Sequence, residues 1–273
     1  MLKLIFGNGK VPAVIKDKDT IVLSRQECDI TVLSDVVAAI EKHNPTVVIN
    51  CAAKTNLENC AVEKHTSFLV NTVGVSNILE VCSAKKIKFV HISSGCLFDG
   101  NKVLSTESTP PDPKVWYTWT KTWADQYIIN YGYEDYLILR PRQLISAKPH
   151  KSNMITKFLS FDNIGAIDEE NSLTCIEDFK VWINHLIKID ATGIFNCSND
   201  GVVTPYEIAA AIKGSLKPSM KVEKIDYDDF LKTIENKRVN TILCNEKLKS
   251  TGIQPRTAKE ALYWCLRNYG DKS

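Results

Sequence analysis

A doubly wound α/β fold, a parallel sheet with a smaller C-terminal lobe, follows from three features of this 273-residue sequence. Short β-branched runs alternate with stretches of helical spacing through the first half, an order that gives parallel strands joined by crossover helices. Two runs, "TVVIN" and "KFVHI", are apolar almost without a break, as strands covered on both faces must be. A glycine pair in "FGNGK" ends the first run, where such a sheet turns tightly into its first helix.

The elements follow in order. Residues 2–6, 20–23, 46–50, 87–93 and 136–140 read as strands, and 32–43, 66–85 and 118–131 carry helical spacing between them. Pro12 and the short distance to the second strand leave room only for a short first helix or a turn. After residue 140 the texture changes to the Pro-, Lys- and Ser-rich "PRQLISAKPHKSN", and later elements are more irregular. A helix over 177–189 and a strand over 193–198 return to the sheet. The expected division is residues 1–145 with 177–199 for a nucleotide-binding domain, and 146–176 with 200–273 for a substrate lobe.

Composition narrows the function class. A net charge of +2 with 24% charged residues carries no basic footprint, so bulk nucleic-acid binding is not expected. The N-terminal apolar stretch of "MLKLIFGNGK" is too short for a signal or a membrane span, so a soluble cytoplasmic chain is expected. Nine scattered cysteines without a CxxC pair fit reduced thiols, and no metal site is expected.

Several motifs carry chemistry, each beside a plainer reading. Gly7 and Gly9 suit close approach to a pyrophosphate, but a glycine pair also serves an ordinary strand turn. Ser24-Arg25 stand where an acid would hold the ribose of NAD. A guanidinium there can hold a 2′-phosphate, which favours NADPH over NADH, or it is a solvated surface arginine. The small residues of "NCAAKTN" admit either a cofactor or a tightly packed helix. Tyr117 and Lys121 of "YTWTK" lie four apart, on one helical face, so the ammonium can lower the phenol's pKa while the phenol passes a proton to a carbonyl. Ser94, ending the preceding strand, can hydrogen-bond that carbonyl. Trp116, Trp119 and Trp123 read as packing or a subunit face, which leaves a homodimer open.

On these residues, together with Asn71 in "LVNTVG" and "LRPRQL", the chain resembles an extended short-chain dehydrogenase/reductase with a Rossmann domain. "RVNTILCNEKLKSTGIQP" makes it similar to nucleotide-rhamnose reductases, which reduce a 4-keto-6-deoxy sugar on UDP or dTDP. Cys96 in "SSGCLF" and Lys157 in "SNMITKF" narrow the likeness to bifunctional 3,5-epimerase/4-reductases. The Pro-interrupted phosphate loop and "AAKT" depart from that group.

The resemblance implies a cofactor site at Gly7, Asn8, Gly9, Lys10 and Val11 in the first turn, Ser24, Arg25, Asp29 and Ile30 after the second strand, and Ala52, Ala53 and Lys54 after the third. Asn71, Tyr117, Lys121 and Arg140 complete it, with the alternative that Arg140 closes its strand in a structural pair. It implies substrate contacts from Ser94, Cys96, Leu97 and Phe98, and from Arg142, Gln143, Asn153, Lys157 and Arg238, since a diphosphate suits forked donors. A C4 ketone acidifies C3 and C5, so epimerisation needs one base, one acid and the oxyanion donors that reduction already uses. Cys96 suits the base and Lys157 the acid; the plainer readings are a small core hydrophobe and a diphosphate partner. Two rivals stay open, a 4-keto reductase alone and a non-catalytic NADP-binding subunit of the kind that partners methionine adenosyltransferase.

Overall fold

The computed structural model describes residues 1–100 and 104–271. Its elements run β1 (Lys3–Phe6), α1 (Lys10–Ile15), β2 (Thr20–Leu23), α2 (Leu33–His43), β3 (Val47–Asn50), α3 (Leu57–Val62), α4 (Lys64–Phe68), a π turn (Leu69–Val73), α5 (Gly74–Lys85) and β4 (Lys88–Ile92). A 3₁₀ turn (Gly95–Leu97), β5 (Leu104–Ser105), α6 (Trp116–Asn130), β6 (Tyr136–Pro141), β7 (Leu144–Ile145), α7 (Met154–Leu159), β8 (Asn163–Ile167) and β9 (Thr174–Cys175) follow. The chain closes with α8 (Ile176–Lys188), β10 (Gly193–Cys197), α9 (Pro205–Ser215), β11 (Lys221–Ile225), α10 (Tyr227–Lys232), β12 (Ile242–Leu243), α11 (Glu246–Lys249) and α12 (Ala258–Arg267). It forms two compact units, Met1–Leu97 with Pro111–Arg140 and Ile187–Phe195, and Phe98–Pro110 with Pro141–Leu186 and Asn196–Ser273.

The first unit is built on the expected parallel sheet, six strands in the order β10-β6-β4-β3-β1-β2. Pairs β1·β2, β1·β3, β3·β4 and β4·β6 are all parallel. Every residue of β1, β3 and β4 is buried, which explains their apolar runs. Val36, Ala39 and Ile40 of α2 and Val75, Ile78, Leu79 and Cys82 of α5 recur at helical spacing in one core cluster. Each fully buried aliphatic side chain there contributes about 1.5–3 kcal/mol. The order reverses beside β1, which has β2 on one side and β3 on the other. A crevice at the carboxyl ends of β1 and β3 is the place such a sheet offers a ligand.

The helix expected over 66–85 is interrupted: α4 and α5 are joined by the π turn. Gly74, the first residue of α5, lies against Ile30, whose side chain a Cβ would meet at 2.6 Å. The run Lys64–Lys85 is long and apolar enough to cross a membrane, but half of it is buried, and its apolar face is part of the core.

The second unit has its own core, with Ile145, Ile155, Leu173, Ile208, Ile212, Ala261 and Leu262 among its buried members. Parallel pairs β8·β11, β7·β9 and β5·β12 frame it. Capping boxes start α9 (Thr204 with Glu207) and α12 (Thr257 with Glu260), each satisfying two backbone donors at a helix start.

Candidate active site

The crevice of the first unit is a pocket of about 300 Å³ lined by Gly7, Asn8, Gly9, Arg25, Cys28, Asp29, Ile30, Cys51, Ala52, Ala53, Lys54 and Val70. Gly7 is required by its backbone. It has φ +100°, and a Cβ would lie 2.8 Å from Ala52 N, so the loops after β1 and β3 touch main chain to main chain. Gly9 has open space where a side chain would project. At the rim, Arg25 Nε pairs with Asp29 Oδ2 at 3.2 Å, and Asp29 is held by Thr31. A phosphate-bearing ligand can therefore approach bare backbone at Gly7–Gly9 with a guanidinium nearby, and the residues present fit a dinucleotide.

Other expected cofactor residues have different work. Val11 is a buried core side chain of α1, and Lys10 beside it is not among the lining residues. Ser24 turns both its N–H and its hydroxyl to Glu27 Oε2, each at 2.7 Å. Asn71, fully buried in the π turn, is a bolt. Its Oδ1 accepts from Lys54 N at 2.8 Å, and its Nδ2 donates to Lys54 O at 2.9 Å and Thr120 Oγ1 at 3.0 Å. Asn71 fixes the wall of the pocket through Lys54, one of its lining residues. Arg140, expected at the cofactor, lies inside the unit against Asp125, its Nε and Nη2 both 3.1 Å from Oδ2. With exposures of 1% and 0% the two form a buried ion pair, the structural alternative weighed for a strand-closing arginine.

The proton-handling residues gather around α6 and the end of β4. Tyr117 packs with Cys60 and Val115, and one turn later Lys121 is buried. Lys121 Nζ donates to Ile92 O at 2.9 Å and lies 2.9 Å from His91 Nε2. That contact ties the helix to β4, two residues ahead of Ser94. Ser94 is buried, and its Oγ accepts from Cys96 N at 3.1 Å, so hydroxyl and thiol share one tight turn. Burial pushes the Lys121 ammonium down to about 8, with Asp125 and Cys51 acting to raise it. Burial holds the His91 imidazole well below its ordinary value, and a charge on Lys121 would act in the same direction. The Cys51 thiol is pushed up to about 12 by burial, against Lys121. Leu97 and Phe98, expected at substrate, are core side chains with exposures of 0% and 2%.

Lys157 is exposed on α7 of the second unit. Asn153 is buried and caps α7 by accepting from Ile155 N, and its Nδ2 donates to Ser146 O and Lys148 O. Arg142 Nη2 donates to Asn171 Oδ1 at 2.7 Å and to Val239 O. Gln143 stands at φ +40°, and its buried Oε1 meets no hydrogen-bond partner among the described residues. Arg238 Nη1 donates to Asn236 O at 2.9 Å. Of the tryptophans, Trp116 donates to Lys64 O and Ser67 Oγ, while Trp119 and Trp123 are exposed.

Sequence reasoning missed His91, Asn50, Cys51 and Cys28. The available signal was His91 itself, an imidazole inside an otherwise apolar buried run.

The family model described as the RmlD substrate binding domain matches residues 11–270. A bifunctional dTDP-4-dehydrorhamnose 3,5-epimerase/dTDP-4-dehydrorhamnose reductase of Arabidopsis thaliana is 28% identical over 239 residues, 83% of this chain and 78% of the relative. A dTDP-4-keto-6-deoxy-D-glucose reductase of Streptomyces niveus is 27% identical over 199 residues, 71% of this chain and 68% of the relative. The crystal structure of dTDP-4-dehydrorhamnose reductase from Bacillus anthracis in complex with NADP superposes with a TM-score of 0.88 at 23% identity, covering 97% of this chain and 98% of that one.

Proposed function

The chain belongs to the RmlD substrate binding domain family, and from that premise we propose that it is an NADPH-dependent reductase of a nucleotide-linked 4-keto-6-deoxy sugar. The observation that carries the reading is the tie between Lys121 and the end of β4, which sets the Tyr117–Lys121 helix against the turn bearing Ser94. The names of the relatives support the same substrate class, and the NADP of the B. anthracis enzyme supports the cofactor.

Gly7 and Gly9 would admit the pyrophosphate, and Arg25 a 2′-phosphate. When bound, NADPH supplies the hydride for C4. Ser94 and Tyr117 hold the substrate's carbonyl oxygen, and Tyr117 gives it a proton as the alkoxide forms. Lys121 acts through the phenol's pKa.

The finer reading adds 3,5-epimerisation. Cys96 takes the proton from C3 and C5, Ser94 and Tyr117 hold the enolate oxygen, and Lys157 is the acid this reading requires. The pairing of Cys96 with Ser94 in one turn supports it.

Incubation with UDP- and dTDP-4-keto-6-deoxyglucose plus NADPH, with products identified by NMR, tests the reductase; no consumption of either sugar refutes it. Tyr117→Phe should abolish NADPH oxidation while leaving NADPH binding intact. Deuterium uptake from solvent into C3 and C5 without NADPH tests the epimerase. Cys96→Ser should stop that uptake but spare reduction of an already epimerised sugar. No uptake in the wild type leaves a reductase alone.

A further inference from the structure

The buried chain that ends at Lys121 has a direction. Ala52 N donates to Asn50 Oδ1 at 3.0 Å, which turns the amide so that Nδ2 faces His91 Nδ1 at 3.2 Å. An amide NH₂ only donates, so Nδ1 accepts, and a neutral imidazole then carries its proton on Nε2. Nε2 faces Lys121 Nζ at 2.9 Å. An N–H needs a lone pair opposite it, and an ammonium has none. Lys121, which also donates to Ile92 O, satisfies both neighbours only as an amine. Flipping Asn50 does not escape this, because its NH₂ would then oppose the N–H of Ala52.

Burial alone lowers the Lys121 ammonium to about 8, and the donor–acceptor polarity of this chain of hydrogen bonds lowers it further. Asn50, His91 and Lys121 are 0–1% exposed. The groups that act on Lys121 are His91 from β4, Cys51 after β3, and Asp125 from α6. Arg140 from β6 meets the Asp125 carboxylate, which reduces what that carboxylate can do for an ammonium. Cys51 stays a neutral thiol at physiological pH, because burial holds its pKa high.

We propose that Asn50 and His91 are positioning residues that lock Lys121 as a neutral amine in the cofactor-free protein, through a fixed Nε2–H tautomer of His91. The inference rests on the reading of Lys121 as the lysine of the reductase site. On it, the lysine of the resting protein is a proton acceptor one helical turn from Tyr117, and it becomes a cation only when this chain of hydrogen bonds is rearranged.

The test begins with the full-length, ligand-free chain labelled with ¹⁵N. A long-range ¹H–¹⁵N spectrum should show His91 protonated on Nε2, with Nδ1 bare, and unchanged from about pH 8 to about pH 5.5. An Nδ1-protonated ring, or an imidazolium forming in that range, overturns the proposal. Asn50→Asp should reverse the tautomer, since a carboxylate accepts from Nδ1–H and leaves Nε2 to accept from an ammonium. In that variant the Lys121 ionisation in the pH profile of keto-sugar reduction should rise by about one unit or more. His91→Gln, whose amide can accept from Asn50 and donate to Lys121, should keep the wild-type profile. An Asn50→Asp profile superimposed on the wild type overturns the lock. The wild-type spectrum decides alone if that variant does not fold. A wild type with the expected tautomer but no reduction of either sugar refutes the reductase and leaves the lock standing.

Discussion

Replacing Asp125 with alanine should be among the most damaging single changes to the first unit. The carboxylate lies wholly inside the unit, with Arg140 Nε and Nη2 at 3.1 Å from its Oδ2 and 1% of Arg140 exposed. Asp125→Ala leaves a buried guanidinium without its counter-charge, a loss of about 3–5 kcal/mol. At roughly 2–4 °C per kcal/mol for a chain of this size, the melting temperature should fall by about 10 °C. Replacing both partners with apolar residues, Asp125→Leu with Arg140→Met, should recover most of that loss, because the larger part of it is the stranded charge. Urea unfolding of the single and double variants reads the stability, and NADPH titration of the double variant reads the role of Arg140. A cost below about 1 kcal/mol for the single variant refutes the buried-pair argument. A double variant that is stable but no longer binds NADPH returns Arg140 to the cofactor.

Gly7→Ala forces a side chain into φ +100° and within 2.8 Å of Ala52 N, so NADPH binding measured by fluorescence should weaken at least about tenfold, with about 1–3 kcal/mol of destabilisation. Asn71→Ala strands the N–H of Lys54 and leaves its C=O with only the Cys60 thiol, and should cost about 1–3 kcal/mol in urea unfolding. Leu97→Ala, in a side chain with no exposure, should lower the unfolding midpoint by an amount worth about 2–5 kcal/mol without requiring any ligand contact. Asp17 tests acid stability. Burial, which acts to raise its pKa, is outweighed by Lys3 and Thr20, so its carboxyl lies at about 2. The folded protein then holds a carboxylate at pH values where the unfolded chain takes up a proton. Its contribution, about 1–2 kcal/mol after solvent screening, is present above about pH 4 and lost as the pH falls toward 2. Asp17→Asn should remove that part of the acid slope.

What could be read in the sequence is what is local. Strands β3 and β4 announce themselves because burial on both faces makes "VVIN" and "KFVHI" nearly continuous, and Tyr117 and Lys121 because four residues make one helical turn. The pocket wall at Gly7 and Ala52 follows from small residues at strand ends. What could not be read is which distant partner each polar residue finds. Asn71 grips Lys54, 17 residues back, and Thr120, 49 residues on. No local pattern encodes such a bolt, and an asparagine in a cofactor-binding signature reads as a ligand contact. Arg140 and Asp125 meet only because α6 packs beneath β6. Val11, Leu97 and Phe98 lie next to true loop residues and differ from them only in which way the backbone points.

Asn50 and His91 show the same limit at its sharpest, and they also show what the fold does with it. They are register partners across β3 and β4, so their contact exists only once the parallel pairing is fixed. A sheet core with no ligand to serve would gain by filling both positions with aliphatic residues, because an incompletely matched buried polar group costs about 1–3 kcal/mol. Here the amide is satisfied by Ala52 on one side and the imidazole on the other, and the imidazole in turn faces Lys121. A neutral lysine also removes the largest cost of the arrangement, a buried cation. The polar residues of β3, β4 and α6 therefore form one matched set, and replacing any one member with an apolar side chain unbalances the others. Stability in this part of the sheet and the protonation state of Lys121 are, on this argument, set by the same hydrogen bonds.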